Sequence, residues 1–166
     1  MAFPTYKKRG NVIVDTILVL IVLTIIAIVS ILFYKVQYDI NEDIQNDTNM
    51  SAYSRSVSQN NTDRFPSLFD SIFLFLFVMF WILVLVSSAL TDTSYIFLVV
   101  TVIILVLILL LGGVVSNAYE ELRTDSDLVS YGDQFPLTNF IMEHLAIFLL
   151  FIGGSITLVM FAKKRI

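Results

Sequence analysis

Leu68–Leu90 reads LFDSIFLFLFVMFWILVLVSSAL, with one ionisable residue, Asp70, close to its start. A helix rises about 1.5 Å per residue, so this stretch matches a hydrocarbon core about 30 Å thick. Its Leu, Ile, Val and Phe fall on every side of the helix, with no polar stripe to turn toward water. Such a helix belongs in lipid or in a deep core. Three further runs have the same character: Val12–Tyr34, Tyr95–Val115 and Leu137–Phe161. Together they account for a chain of 166 residues that is 57% hydrophobic and 14% charged, with mean hydropathy +0.86. A soluble domain carries nearer a quarter charged residues. The expected fold is therefore all-α, a four-helix integral membrane protein forming a single membrane domain over 1–166. Its spans are 12–34, 68–90, 95–115 and 137–161.

The charges orient it. Lys7, Lys8 and Arg9 lie in a basic tail, 1–11, and Lys163, Lys164 and Arg165 close the chain. The connection Thr91–Ser94 has no basic residue. The stretches 35–67 and 116–136 are acidic, with Lys35, Arg55, Arg64 and Arg123 diluted among many Asp and Glu. By the excess of Lys and Arg, both termini belong on the cytoplasmic or equivalent inner side, with two acidic loops outside. Lys7–Gly10 followed by Asp15 resembles a type IV prepilin leader. The family's acid is normally Glu and its members carry one hydrophobic helix, so an uncleaved first span is expected here.

The two acidic loops share a pattern. Glu42–Met50 reads EDIQNDTNM and Glu120–Leu128 reads EELRTDSDL, each just beyond an odd-numbered span. Glu42 aligns with Glu120 and Asp47 with Asp125, and each loop ends in Phe-Pro, at Phe65-Pro66 and Phe135-Pro136. The chain thus reads as a tandem duplication of a transmembrane hairpin. Nothing helix-breaking follows Tyr34 or Val115 for two or three turns, so both odd spans extend into water as acidic collars. Asp47-Thr48 and Asp125-Ser126 are N-cap chemistry, predicting a break and a short restarting helix. The prolines, followed in one case by Ser67-x-x-Asp70, predict the starts of spans two and four. If the halves are equivalent, a rotation about the membrane normal relates them.

Candidate chemistry is sparse. There is no cysteine and a single histidine, His144. No catalytic set, cofactor motif or nucleic-acid patch is present, so no enzyme is expected. Asp47-Thr48-Asn49 and Asp125-Ser126-Asp127 space oxygens like the start of a calcium loop but lack its Gly and final Glu. Capping is the better assignment. Asp70, Glu143 and His144 fall within spans, where ionisable groups are costly and mark either conduction or polar contacts between helices. Glu42, Asp43, Asp47, Glu120, Glu121 and Asp125 form the partner-contact collars. Gly112-Gly113 and Gly153-Gly154 point to close helix approach. Trp81, at mid-span, points to packing on another helix, and Tyr34, Tyr38, Tyr95 and Tyr119 to interfacial aromatics. Asn46, Asn49 and Asn60 head N-x-S/T sequons on the outer side.

Ser116–Leu122 (SNAYEEL), then Phe-Pro, then Asn139–Leu145 (NFIMEHL) resembles small polytopic membrane proteins of phages and environmental viruses, over roughly the last 60 residues. No activity or ligand comes with the resemblance; it implies a viral setting. Two classes of function follow. One is a structural or assembly subunit of a virion membrane or membrane complex, with the bilayer, other membrane or capsid proteins and copies of itself as partners. The other is a small ion or proton channel subunit, or a holin-like protein.

Overall fold

The computed structural model describes residues 12–90 and 95–163. The tail through Asn11, the 91–94 connection and the side chains of Asp15, Tyr95 and the C-terminal basic residues lie outside the described residues. The chain is all-α. Among the described residues six helices follow in order: α1 (Val12–Asn46), α2 (Ala52–Leu90), α3 (Tyr95–Arg123), α4 (Val129–Gly132), α5 (Pro136–Glu143) and α6 (Leu145–Lys163). Four of them, α1, α2, α3 and α6, are long and apolar enough to cross a membrane.

Both collars are helical. α1 runs unbroken to Asn46 and α3 to Arg123. At 35 and 29 residues they measure about 52 Å and 43 Å, so each outruns a core about 30 Å thick. The two stops are alike. Asp47 Oδ1 accepts the Asn49 N–H at 2.8 Å, and Asp125 Oδ1 accepts the Asp127 N–H at 2.9 Å. Each aspartate closes a turn two residues on, the local bond through which Asp interrupts a helix.

Beyond the stops the halves diverge, and three expectations are corrected. First, 35–67 is not a loop: all but Asp47–Ser51 is helix. Ser51, not Asp47, caps α2, its Oγ accepting the Ser54 N–H at 3.0 Å. Second, Pro66 does not start a span; it sits inside the 39-residue α2. Proline removes the N–H that would meet the Thr62 carbonyl, an interruption usually worth a break. Here the preceding turns are held by α1. Asn41 Nδ2 donates to Gln59 Oε1 at 3.0 Å, Gln45 Nε2 to the Arg55 carbonyl at 2.9 Å, and Tyr34 stacks on Phe65 at 6.0 Å. Tertiary contact overrides the local rule. Third, the fourth span is interrupted: α5 ends at Glu143, and α6 starts at Leu145.

The helices close a ring in which α1 packs on α2, α2 on α6, α6 on α3, and α3 on α1, with α5 laid against α2 and α3 and α4 against α1. Parallel spans are therefore neighbours. A two-fold axis along the membrane normal would set α1 diagonal to α3, so the hairpins instead lie side by side. They meet through their matching phenylalanines: Phe65 and Phe135 make an edge contact at 6.4 Å, and Tyr34 touches both. Tyr34 and Tyr119 are buried in the bundle rather than placed at a lipid interface. Trp81 on α2 donates its indole N–H to Ser155 on α6 at 3.2 Å and packs on Phe151.

One glycine of each pair faces the α3–α6 seam. A Cβ at Gly112 would lie 2.5 Å from Leu149 Cδ1 and 3.6 Å from the Ala146 Cα, whereas Gly113 and Gly154 face open space. Gly153 would meet the tip of Leu105. Small residues allow such approach where no hydrophobic driving force joins helices in lipid. Gly112→Val should lower stability in detergent by about 1–3 kcal/mol, the usual cost of overpacking. Gly113→Val should leave the thermal midpoint nearly unchanged.

Candidate functional site

The polar residues gather at the collar end, around the N-terminus of α5. A helix N-terminus leaves its first N–H groups without partners. The residue at the α5 cap position is Phe135, which has no side-chain oxygen to offer, and the first helical residue is Pro136. The missing cap arrives from another helix. Asp70 on α2 accepts from Leu137 N at 2.9 Å, Thr138 N at 3.0 Å and Thr138 Oγ1 at 2.7 Å. Its carboxylate thus satisfies the second and third N–H groups of α5, as an N-cap side chain does, and its charge faces the positive end of the helix dipole. Asp70 is only 3% exposed. It is therefore not the last residue of a capping box for α2; it caps α5 across the bundle.

The other end of α5 is also closed from outside. At His144 the helix breaks, and the Glu143 carbonyl is taken by Ser116 Oγ of α3 at 2.9 Å. The Glu143 carboxylate pairs with Arg123 Nη2 at 2.7 Å, and Arg123 Nη1 reaches Asp133 at 2.6 Å. Among the described residues the ion pairs are these two, both on one guanidinium. His144 is exposed, its Nδ1 3.0 Å from the Phe140 carbonyl and its ring on Phe140. Asp70, Glu143 and His144 are thus not brought to one face. Asp70 binds the start of α5, Glu143 its end, and His144 turns outward.

Between them runs a buried chain that sequence reasoning missed. Tyr119, fully buried, donates to Asn139 Oδ1 at 2.7 Å, and Asn139 Nδ2 donates to the Gly132 carbonyl at 2.9 Å. Gly132 sits so close to α3 that a Cβ would lie 2.7 Å from Arg123 Cγ and 3.3 Å from the Arg123 carbonyl. The module alignment held a signal for this. Glu42 over Glu120 sets Asn41 over Tyr119 and Gln45 over Arg123, and all four side chains reach from a collar to the chain that returns beside it.

The collar acids stand differently. Glu42, Asp43, Glu120, Glu121 and Asp125 are exposed and Asp47 is half-buried. Both collars lie at one end of the bundle, joined where Tyr131 of α4 packs on Tyr38 and its hydroxyl points to Asp39 at 3.5 Å. Burial, and then the Asp39 carboxylate, raise the Tyr131 hydroxyl above its ordinary range. Asp47 and Asp125 spend an oxygen on their own turns, and no group of three or more metal-ligating side chains forms among the described residues. Asn46, Asn49 and Asn60 are all exposed at this end.

Comparison of the chain with family models, with curated proteins and with solved structures finds no match.

Removing the cap isolates its role. Asp70→Ala leaves the Leu137 and Thr138 N–H groups without their acceptor, the second of them buried, a loss of about 1–3 kcal/mol. Hydrogen exchange at those two amides should rise sharply while α1 amides stay protected. Asp70→Asn, which still offers a carbonyl oxygen, should lie between the two.

Proposed function

We propose that this protein is a structural subunit of a membrane assembly, fixed by four spans and docked to neighbours through an acidic outer rim. One observation carries the proposal: Asp70 and Glu143 are engaged with groups on other helices, while the collar acids, all exposed but the half-buried Asp47, make no ion pair among the described residues. Asp70 accepts three hydrogen bonds and Glu143 holds Arg123, so both serve the packing of α5. A conducting carboxylate needs access to water on its path and freedom to exchange its proton. That contrast favours a structural subunit over a proton or ion channel using Asp70, Glu143 and His144, and over a holin-like protein.

The rim combines Glu42, Asp43 and Asp47 with Glu120, Glu121 and Asp125 on a rigid helical base. Exposed like charges raise the encounter rate with a basic partner and lose strength as salt rises. A neighbour with a Lys- or Arg-rich surface fits. The basic tails set both termini on the inner side and the rim outside, by the excess of Lys and Arg. The likeness of the last third to small membrane proteins of phages and environmental viruses favours a virion membrane as the setting, with capsid or membrane proteins as neighbours.

Three measurements test this. Replacement of Glu42, Asp43, Glu120 and Glu121 by Lys should abolish co-purification of stoichiometric partners, and raising salt should weaken it in the wild type. Retention of every partner by the fourfold variant would refute rim docking. In liposomes the purified protein should pass no more ions than empty vesicles; flux lost in Asp70→Asn and Glu143→Gln would establish the channel instead. For orientation, Cys at Tyr53 or Ser130 should react with an impermeant reagent from outside and Cys at Thr93 should not.

A further inference from the structure

We propose that the turn at the tip of the first collar is a glycosylation site, with Asn49 the acceptor among the three sequons. The proposal rests on the outer placement of both collars. Asparagine in N-x-S/T is an acceptor signal, and a glycan is bulky and solubilising, so its site has to face water. α1 stays helical to Asn46, which sets the Asp47–Ser51 turn about 18 Å beyond Tyr34 at about 1.5 Å per residue. Asn49, Met50 and Ser51 are all exposed and all lie outside helix. Among the described residues no hydrogen bond holds the Asn49 amide side chain; its backbone N–H is engaged with Asp47 Oδ1. In the reaction, that amide nitrogen attacks the anomeric carbon of an oligosaccharide carried on a polyprenyl pyrophosphate. The C–N bond forms as the C–O bond to pyrophosphate breaks. The polyprenyl pyrophosphate leaves, and the amide gives one proton to water.

A sequon is read through its asparagine and its hydroxyl together, so both side chains have to meet one approaching surface. A helix forms in about a microsecond while synthesis adds about 5–20 residues per second, so a transferase meets turn and helices already formed. Asn60–Thr62 then fails the requirement. It lies inside α2, where two residues turn the chain by about 200°, so its ends point to opposite sides. Thr62 is buried and donates its hydroxyl to the Ser58 carbonyl at 3.1 Å. Asn46 is the last residue of α1, and Asp47, between it and Thr48, is tied on every side. The Asp47 N–H donates to the Asp43 carbonyl at 3.0 Å, and its own carbonyl accepts from Met50 N at 3.2 Å and Arg55 Nη2 at 2.7 Å. Its charge also repels a pyrophosphate donor. At Asn49 the central residue is the neutral Met50. The Ser51 hydroxyl is held by exposed bonds, to Ser54 N at 3.0 Å and Ser54 Oγ at 2.9 Å, which water can replace.

Synthesis of the full chain into sealed endoplasmic-reticulum vesicles, with endoglycosidase treatment before electrophoresis, counts the glycans. The wild type should carry one. Asn49→Gln and Ser51→Ala should each lose it, whereas Asn46→Gln, Asn60→Gln and Ser51→Thr should keep it. A sequon tag added after Ile166 reads the side of the C-terminus and should stay unmodified. An unmodified chain with an unmodified tag would overturn the acceptor site alone. An unmodified chain with a modified tag would overturn it together with the outer placement of the collars. A glycan that survives Asn49→Gln but is lost in Asn46→Gln would also overturn the assignment, because the bonds around Asp47 would then not select the acceptor.

Discussion

A backbone N–H within or near the bilayer has no water to fall back on, so every helix end placed there must find a protein partner. The returning arm of the second hairpin breaks twice, before Pro136 and at His144, and creates two such ends. Asp70 closes the first and Ser116 the second. The rest of the collar end depends on those two closures. Because Asp70 fixes α5 against α2, Phe135 is driven fully into the bundle among Tyr34, Phe65 and Phe69. Because Ser116 holds the far end on α3, Glu143 comes within reach of Arg123. A charge buried to this degree is tolerated only with its bonds complete, and the three to Asp70 complete them.

Four spans, helical collars and their stops were legible in the sequence, because each depends on neighbouring residues. Apolar runs free of charge name a span by length, and an Asp followed by a hydroxyl stops a helix by bonding the chain two residues on. What escaped was non-local. Pro66 reads as a helix start by every local rule, yet Gln59, Arg55 and Phe65 are held to α1 and carry the helix through it. Asp70 reads as a cap for its own helix, and its true partners lie 67 and 68 positions on. The interruption at His144 has no Gly or Pro to announce it; the freed carbonyl is met from 27 positions away. Of the candidate residues, the acids were found by composition, but the use of Asp70 and Glu143 could not be told without knowing what faces them.

The repeated pattern separates what two similar hairpins keep from what each builds on it. Both keep a helical collar, an Asp-closed stop and two collar side chains that grip the returning chain. The first returns as one continuous helix through a proline. The second folds a short flap, α4 and α5, back over the bundle and locks it with Asp70 and Arg123. The loop between stop and Phe-Pro is shorter in the second half, too short for a matching two-helix column. The flap is the geometry that lets Phe135 still reach Phe65. Conserving that one aromatic contact, with different backbone paths leading to it, accounts for parallel spans lying side by side rather than across a two-fold axis.

That asymmetry also shapes the collar end of the bundle. The column formed by the collar of α1 and the first turns of α2 is cross-linked by Asn41 and Gln45, and the flap packs beside the α3 collar that carries Glu120 and Glu121. The exposed acids of both collars thus stand on helices tied to the chain that returns beside them. Rigidity of this kind lowers the ordering cost of association, so exposed charges on it contribute more to binding than the same charges on a loose loop. The side chains that hold the collars, Asn41, Gln45, Tyr119 and Arg123, all reach to the returning chain. The polar residues of the collar are thus divided by face, with the inner ones fixing the shape and the acids left exposed.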